Sequence, residues 1–284
     1  MLSIPRQDNS AIGQWWWTVD RRLLAALLAL AATGCVLVAS ISPIQMRNHP
    51  APFKDALQHL ILAVAAVSIM IGVSFCSPLW IRRLACLGLM GAAAAMLATT
   101  AFGQAHQGGQ RWIRIAGFSL QASEFLKPAL AIVSAWMFVE WRRSLGNTGL
   151  LAGAMLYLLT IPMLLMQKDL GQMVVISAMW WGQFFLAGMP LFLIPLMLGA
   201  GAGGLLLYIQ FNAHAVDRIQ DFAEPEKYGQ IWYALQSFQN GGWLGVGLGE
   251  GRMKTHLPDA QSDFIFAATG EELGLLGCML LIGG

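Results

Sequence analysis

Charge is what this sequence has least of. Asp, Glu, Lys and Arg make up 11% of its 284 residues, less than half of the roughly 25% usual in a soluble domain. That deficit excludes a chain kept in solution by surface charge. The net charge is +2, and no basic run interleaved with aromatics occurs, so a nucleic-acid partner is excluded too. Cysteine is equally sparse: Cys35, Cys76, Cys86 and Cys278 all fall inside apolar runs. Without metal-ligand or paired spacing they read as small core residues, not a disulfide framework. No cleavable leader is expected, because AIGQWWWTVDRR is polar and aromatic, with no short apolar core and small-residue cleavage site. There is also no internal repeat and no soluble domain.

What the sequence has in quantity is long apolar runs. Hydrophobic residues make up 57% of it, gathered in stretches of about twenty, enough to cross roughly 30 Å of hydrocarbon as helix. Spans are predicted at 22–42, 57–77, 84–103, 124–141, 149–166, 170–188, 190–210 and 264–284. The fold class is an all-α polytopic membrane protein, one helical domain over residues 1–284. Arg21/Arg22 precede the first span, Arg82/Arg83 follow the second and Arg142/Arg143 follow the fourth. These pairs share one side if the N-terminus is cytoplasmic, as the positive-inside rule requires. Loops 43–56, 104–123 and 211–263 then lie outside. The last is the longest, and long loops are usually functional. The chain is apolar to its end, CMLLIGG, and reads as one cut short.

Four stretches have residues that could do chemistry. In GQAHQGGQRWIRIAGFSLQASEFLKPAL, Arg111 and Arg114 would share one face of a helix, and Trp112 is an interfacial ring. Glu124 and Lys127 stand three apart at the mouth of span four, with Pro128 expected in its opening turn. The segment fits an interfacial anchor or a cationic cradle for a phosphate headgroup. In MQKDLGQ, Asp169 can cap span six.

Residues 228–239 have the apolar spacing of a helix lying along the membrane. Gly241, Gly242, Gly245, Gly247, Gly249 and Gly251 follow. No preceding strand or GK[ST] supports a nucleotide loop. The glycines either bring backbone N–H groups to an anion or sugar, or re-enter the membrane edge. The fourth stretch, LPDAQSDFIFAATGEELG, concentrates Asp259, Asp263, Glu271 and Glu272 at one edge. Asp263 can be a helix N-cap or, half desolvated at a wet boundary, a general base. Glu271 and Glu272 are deeper and read as buried partners of arginine or backbone. Gly270 and Gly274 permit a close neighbour there.

Together GGQRWIRIAGFSLQASEFLKP, QKDLGQ, DRIQDF…YGQIWYALQSFQNGGWLGVGLGEG and LPDAQSDFIFAATGEELG resemble the SEDS family (shape, elongation, division and sporulation), in order and spacing, most of all its division member. The resemblance implies a polytopic glycosyltransferase that polymerises lipid II on the outer face of the cytoplasmic membrane during septal cell-wall synthesis. It also implies a class B penicillin-binding protein and other divisome proteins as partners. The family's catalytic aspartate matches Asp263, its RWI residues match Arg111 and Trp112, and its Q-P-S-E-x-x-K acid and base match Glu124 and Lys127. The chain departs from the family pattern at Ala122, Lys168, Gln261 and Ser262, and the last two of the usual ten spans are not completed.

On this reading Asp263 takes the proton from an acceptor sugar hydroxyl, which displaces undecaprenyl pyrophosphate. Arg111, Lys127, Arg218 and Lys254 are the candidate cations for the leaving group, and Asp169, Asp259, Glu271 and Glu272 are supporting residues. Asp259 and Asp263 could instead hold a divalent ion, Mg or Mn. Two other classes compete: a lipid II flippase using Glu271, Glu272 and Lys127, and a non-catalytic division scaffold. A flippase needs polar groups through the whole bilayer depth, whereas these concentrate at one face.

Overall fold

The computed structural model describes residues 10–45, 53–102, 104–106, 109–115, 118–143, 146–211, 216, 220, 222–258 and 260–283. It falls into two compact units, residues 1–75 with 203–284, and residues 76–202.

The first unit contains α1 (Ala11–Thr18), α2 (Arg21–Gln45) and α3 (Lys54–Ser74). Ser10 starts α1 by accepting from Gly13 N–H at 3.0 Å. Asp20 does the same for α2, accepting from Arg22 and Leu23 N–H at 2.9 and 3.2 Å. Trp15 ties α1 to the end of α3, donating to Ser74 Oγ at 2.7 Å and stacking on Phe75.

The second unit contains α4 (Pro78–Phe102), strands β1 (Gln104–His106), β2 (Gly109–Ile115) and β3 (Phe118–Gln121), then α5 (Ala122–Arg143), α6 (Thr148–Met166) and α7 (Leu170–Leu186). Its core sets Met96 of α4, Leu126 and Leu130 of α5, Leu164 of α6 and Ile176 of α7 against one another. A second cluster stacks Phe138 on Phe184 and tilts both against Trp180. Helix α8 (Leu193–Phe211) leads from this unit into the first. There it is followed by α9 (Gln230–Gly241), a 3-10 turn (Met253–Thr255) and α10 (Ile265–Gly283).

Each of the eight predicted spans is a helix, within a few residues of its expected ends except that α4 begins at Pro78, ahead of the expected 84, which puts Arg82 and Arg83 inside the helix. Seven are long and apolar enough to cross a membrane; α7, with 17 residues, is shorter. Given that each of the long helices crosses once, contacts within the first unit bear on whether α7 crosses. Ile41, near the C-terminal end of α2, clusters with Ala267 and Ala268, near the N-terminal end of α10. Ser40 Oγ donates to Glu272 Oε2 at 2.7 Å. The end of α2 and the start of α10 therefore share one side, so the chain between them crosses an even number of times. The five long helices α3, α4, α5, α6 and α8 give an odd count, and α7 makes it even. Its length of about 25 Å is at the lower limit for a span.

Two expectations are corrected. Residues 109–115 and 118–121 form strands, so the helical spacing argument for Arg111 and Arg114 does not apply. Trp112 pairs with Gln121 and Ile113 with Leu120 in an antiparallel ladder. The β-branched and aromatic WIRI run favours that pairing over helix. Pro128 is not in an opening turn either. Because α5 begins at Ala122, the proline sits inside the helix.

The crossing of α7 is checked by single cysteines at Lys168 and Leu191, which flank it, in a Cys-free background. The two positions should react with an impermeant maleimide from opposite sides of the membrane; same-side labelling would contradict the even count.

Candidate functional site

The glycine-rich segment after α9 is shaped by a break in α10. Gly274 has φ 66° and ψ −167°, which no helix contains. The break leaves Leu275 and Leu276 without their normal acceptors, the carbonyls of Glu271 and Glu272. The segment supplies replacements on both sides. Leu275 N–H donates to Gly242 O at 2.9 Å and Leu276 N–H to Trp243 O at 3.2 Å; Val246 and Gly247 N–H donate to the Glu271 and Glu272 carbonyls at 2.9 and 3.0 Å. Such close approach requires glycine. A Cβ on Gly245 would stand 2.1 Å from the Glu272 carbonyl oxygen, and one on Gly274 would stand 2.4 Å from Gly245 N.

The two glutamate side chains fasten the next residues. Glu271 Oε1 accepts from the N–H groups of Arg252 and Met253 at 2.8 and 3.0 Å. Glu272 Oε1 pairs with Lys254, whose ammonium also donates to Ser40 O at 3.2 Å. Lys254 is fully buried, and both glutamates are 1% exposed. Beyond them Leu257 and Ala260 pack with Ile41, Ala267 and Ala268. Gln261 donates to Asp55 of α3 at 3.1 Å.

Asp263 ends this fastened segment and is exposed. Among the described residues its carboxylate accepts no hydrogen bond. The first turn of α10 is closed by main-chain acceptors instead, Ile265 N–H to Ser262 O at 3.5 Å and Ala268 N–H to Phe264 O at 3.0 Å. The cap reading of Asp263 therefore fails. Its carboxylate is left for something outside the fold.

The family model of the FtsW/RodA/SpoVE cell cycle proteins matches residues 21–283. The chain belongs to this family. A probable peptidoglycan glycosyltransferase FtsW of Caulobacter vibrioides is 38% identical over 283 residues, covering 98% of this chain and 72% of the relative. The protein of the same description from Acinetobacter baylyi is 34% identical, covering 94% and 69%. Among solved structures, a chain of a peptidoglycan synthase complex, described for its coordination of polymerization and crosslinking, superposes with a TM-score of 0.69 at 19% identity, over 94% of this chain and 75% of that one. A variant of the rod shape determining protein RodA of Thermus thermophilus gives 0.62 at 19% identity, over 94% and 72%. At that identity the two structures show the fold: an all-α polytopic membrane architecture most like FtsW in sequence.

Of the FtsW-type positions singled out from sequence, Lys254 is a correction. It was expected as a free cation for a pyrophosphate, but it is sealed against Glu272. Glu271 and Glu272 are buried partners as expected: Glu271 takes backbone donors, while the cation at Glu272 is lysine rather than arginine. Of the two readings of the glycine segment, the anion-binding one is corrected and the one at the membrane edge is left. The N–H groups of Val246 and Gly247 point at the broken helix, not at an anion.

In the second unit Asp169 caps α7 through Gln172 N–H at 3.3 Å and accepts from Gln121 Nε2 at 2.9 Å. Glu124 and Lys127 form an ion pair at 2.7 Å, partly open to solvent, and Gln172 Nε2 donates to the same glutamate. Trp112 is exposed in β2. Arg111 belongs to β2, but its side chain lies outside the described residues. Arg218 and Asp259 also lie outside them, as do Asp217 and Asp221. Among the described residues no group of three His, Cys, Asp or Glu could hold a metal ion. Sequence reasoning missed Ser40, Asp55, Gln121 and Gln172. For Ser40 and Gln172 the available signal was a polar residue inside an apolar run.

The two ion pairs should differ sharply in stability. Removing one partner of a buried pair costs about 3–5 kcal/mol, whereas an exposed helical pair contributes about 0.3–0.5 kcal/mol. Thermal unfolding in detergent should therefore show a large fall in Tm for Glu272→Gln and almost none for Glu124→Gln. The reverse order would contradict the burial of Lys254.

Proposed function

We propose that the chain is a peptidoglycan glycosyltransferase that polymerises lipid II for septal wall synthesis, with Asp263 as the general base. The observation that carries this reading is the state of Asp263: exposed, without a hydrogen bond among the described residues, at the end of a segment fastened at Gly242–Gly247, Arg252–Lys254 and Gln261. A carboxylate held in place but unoccupied is suited to accept a proton. The names of the relatives support the same reaction class.

In the proposed step Asp263 removes the proton of the acceptor sugar's 4-hydroxyl. The oxygen attacks the anomeric carbon of the lipid-linked donor with inversion, the glycosidic bond to pyrophosphate breaks, and undecaprenyl pyrophosphate leaves. A positioned base supplies about 10²–10⁴ in rate, so the leaving group needs its own stabilisation. With Lys254 committed to Glu272, Arg111, Lys127 and Arg218 are the candidates that the sequence pattern leaves for that part. The alternative role of Asp259 and Asp263 is to hold Mg or Mn instead. The step above uses no metal.

The proposed partner is a class B penicillin-binding protein that crosslinks the glycan, with other divisome membrane proteins beside it. The solved synthase complex, described for polymerization and crosslinking, supports that pairing. The proposed location is the cytoplasmic membrane at the septum, with the N-terminus inside and loop 211–263 outside, the arrangement favoured by Arg82/Arg83 and Arg142/Arg143.

Asp263→Asn keeps shape and polarity but cannot take a proton at neutral pH. Purified protein given labelled lipid II and its partner should lose polymer by at least about 100-fold, while Tm and partner co-purification stay unchanged. Polymer at the wild-type rate would reject Asp263 as the base.

A further inference from the structure

Residues 229–249 lie within the charge-rich loop before α10, yet contain no Asp, Glu, Lys or Arg. Their partners advance along α10 in step with them. Tyr233 packs with the cluster of Ala267 and Ala268, and Phe238 presses on Gly270. Gly241 meets Gly270 and Glu271, and Gly245 meets Glu272. Last, Gly242 and Trp243 accept from Leu275 and Leu276. So α9 runs beside α10 and in its direction, instead of lying across its end as a surface helix would.

Depth follows from that pairing. Leu275 is ten residues beyond Ile265, the first residue of α10. At about 1.5 Å per residue this is about 15 Å, half of a hydrocarbon core of about 30 Å. Irregular backbone survives at such depth only when its polar groups are satisfied by protein. The four main-chain bonds at the Gly274 break satisfy the N–H groups of Val246, Gly247, Leu275 and Leu276 and the carbonyls of Gly242, Trp243, Glu271 and Glu272. The side chains around them are apolar and uncovered: Trp243, Leu244, Val246 and Leu248 are 70%, 77%, 44% and 51% exposed. They continue the bare face of α10 at Leu275, Leu276 and Met279. Exposed Glu250 and Arg252 mark where the chain turns back to polar surroundings.

We infer that residues 230–258 form a re-entrant element that dips beside α10 to about mid-depth of the outer leaflet or beyond, with Trp243, Leu244, Val246 and Leu248 inserted into lipid hydrocarbon. The occupant of this surface is acyl chain, because it is continuous with a spanning helix and paired to the middle of that helix. The inference does not depend on which reaction the protein performs.

The test is spin-label depth in liposomes of phosphatidylethanolamine and phosphatidylglycerol. Labels are placed singly at Leu244→Cys, Val246→Cys and Leu248→Cys in a Cys-free background, with Lys227→Cys as the exposed reference. Because these side chains are uncovered, labels there leave the glycine contacts intact; three sites guard against one that fails to fold. Labels at 244, 246 and 248 should collide with oxygen at least several-fold more than with a nickel chelate, and label 227 the reverse. Nickel collision equal to that at 227 would put the segment in water and overturn the inference. Low collision with both reagents would mean that protein covers the tip, and would overturn it too. Neither outcome touches the assignment of Asp263.

Discussion

A main-chain polar group inside hydrocarbon must find its partner within the protein. At Gly274, α10 gives up two of its own hydrogen bonds, and residues 242–254 are arranged around that break. Four replacement bonds come from residues 242–247. Only glycine at 245 and 274 lets the two backbones come that close. Once this junction is set, Arg252, Met253 and Lys254 fall beside Glu271 and Glu272, and the segment that follows is carried to Asp263.

The carboxylates at this edge thus divide by role. Glu271 and Glu272 are buried in bonds that hold the segment, while Asp263 has none. The buried Lys254–Glu272 pair need not add net stability, since desolvating two charges can offset their attraction. Its value is in register. Lys254 fits only where Glu272 and the Ser40 carbonyl meet it, which sets where residues 252–254 lie along α10. A flippase using Glu271 and Glu272 as a polar path would need these groups free, and they are not.

Much of this was legible in the sequence, because hydrophobic run length is a direct physical requirement of the membrane. All eight helical runs and the cap at Asp169 follow from local pattern. Strand β2 was misread because its apolar and basic residues suit either an interfacial helix or a strand, and the choice rests on pairing with β1 and β3. Lys254 was misread for a deeper reason. Its partner is 18 residues away, brought to it by a left-handed glycine inside an apolar helix. GEELGLLG reveals that a close neighbour fits there, but not that the helix breaks to receive one. The fate of the carboxylates depends on that tertiary event.

Amide hydrogen exchange of the wild-type protein in detergent tests this arrangement most directly. The N–H groups of Val246, Gly247, Arg252 and Met253 should be protected to the same degree as those in the middle of α4 to α6, because all four are bonded at the broken helix. Complete exchange of peptides covering 242–254 within seconds, while those helices stay protected, would show a free glycine-rich loop and contradict the account.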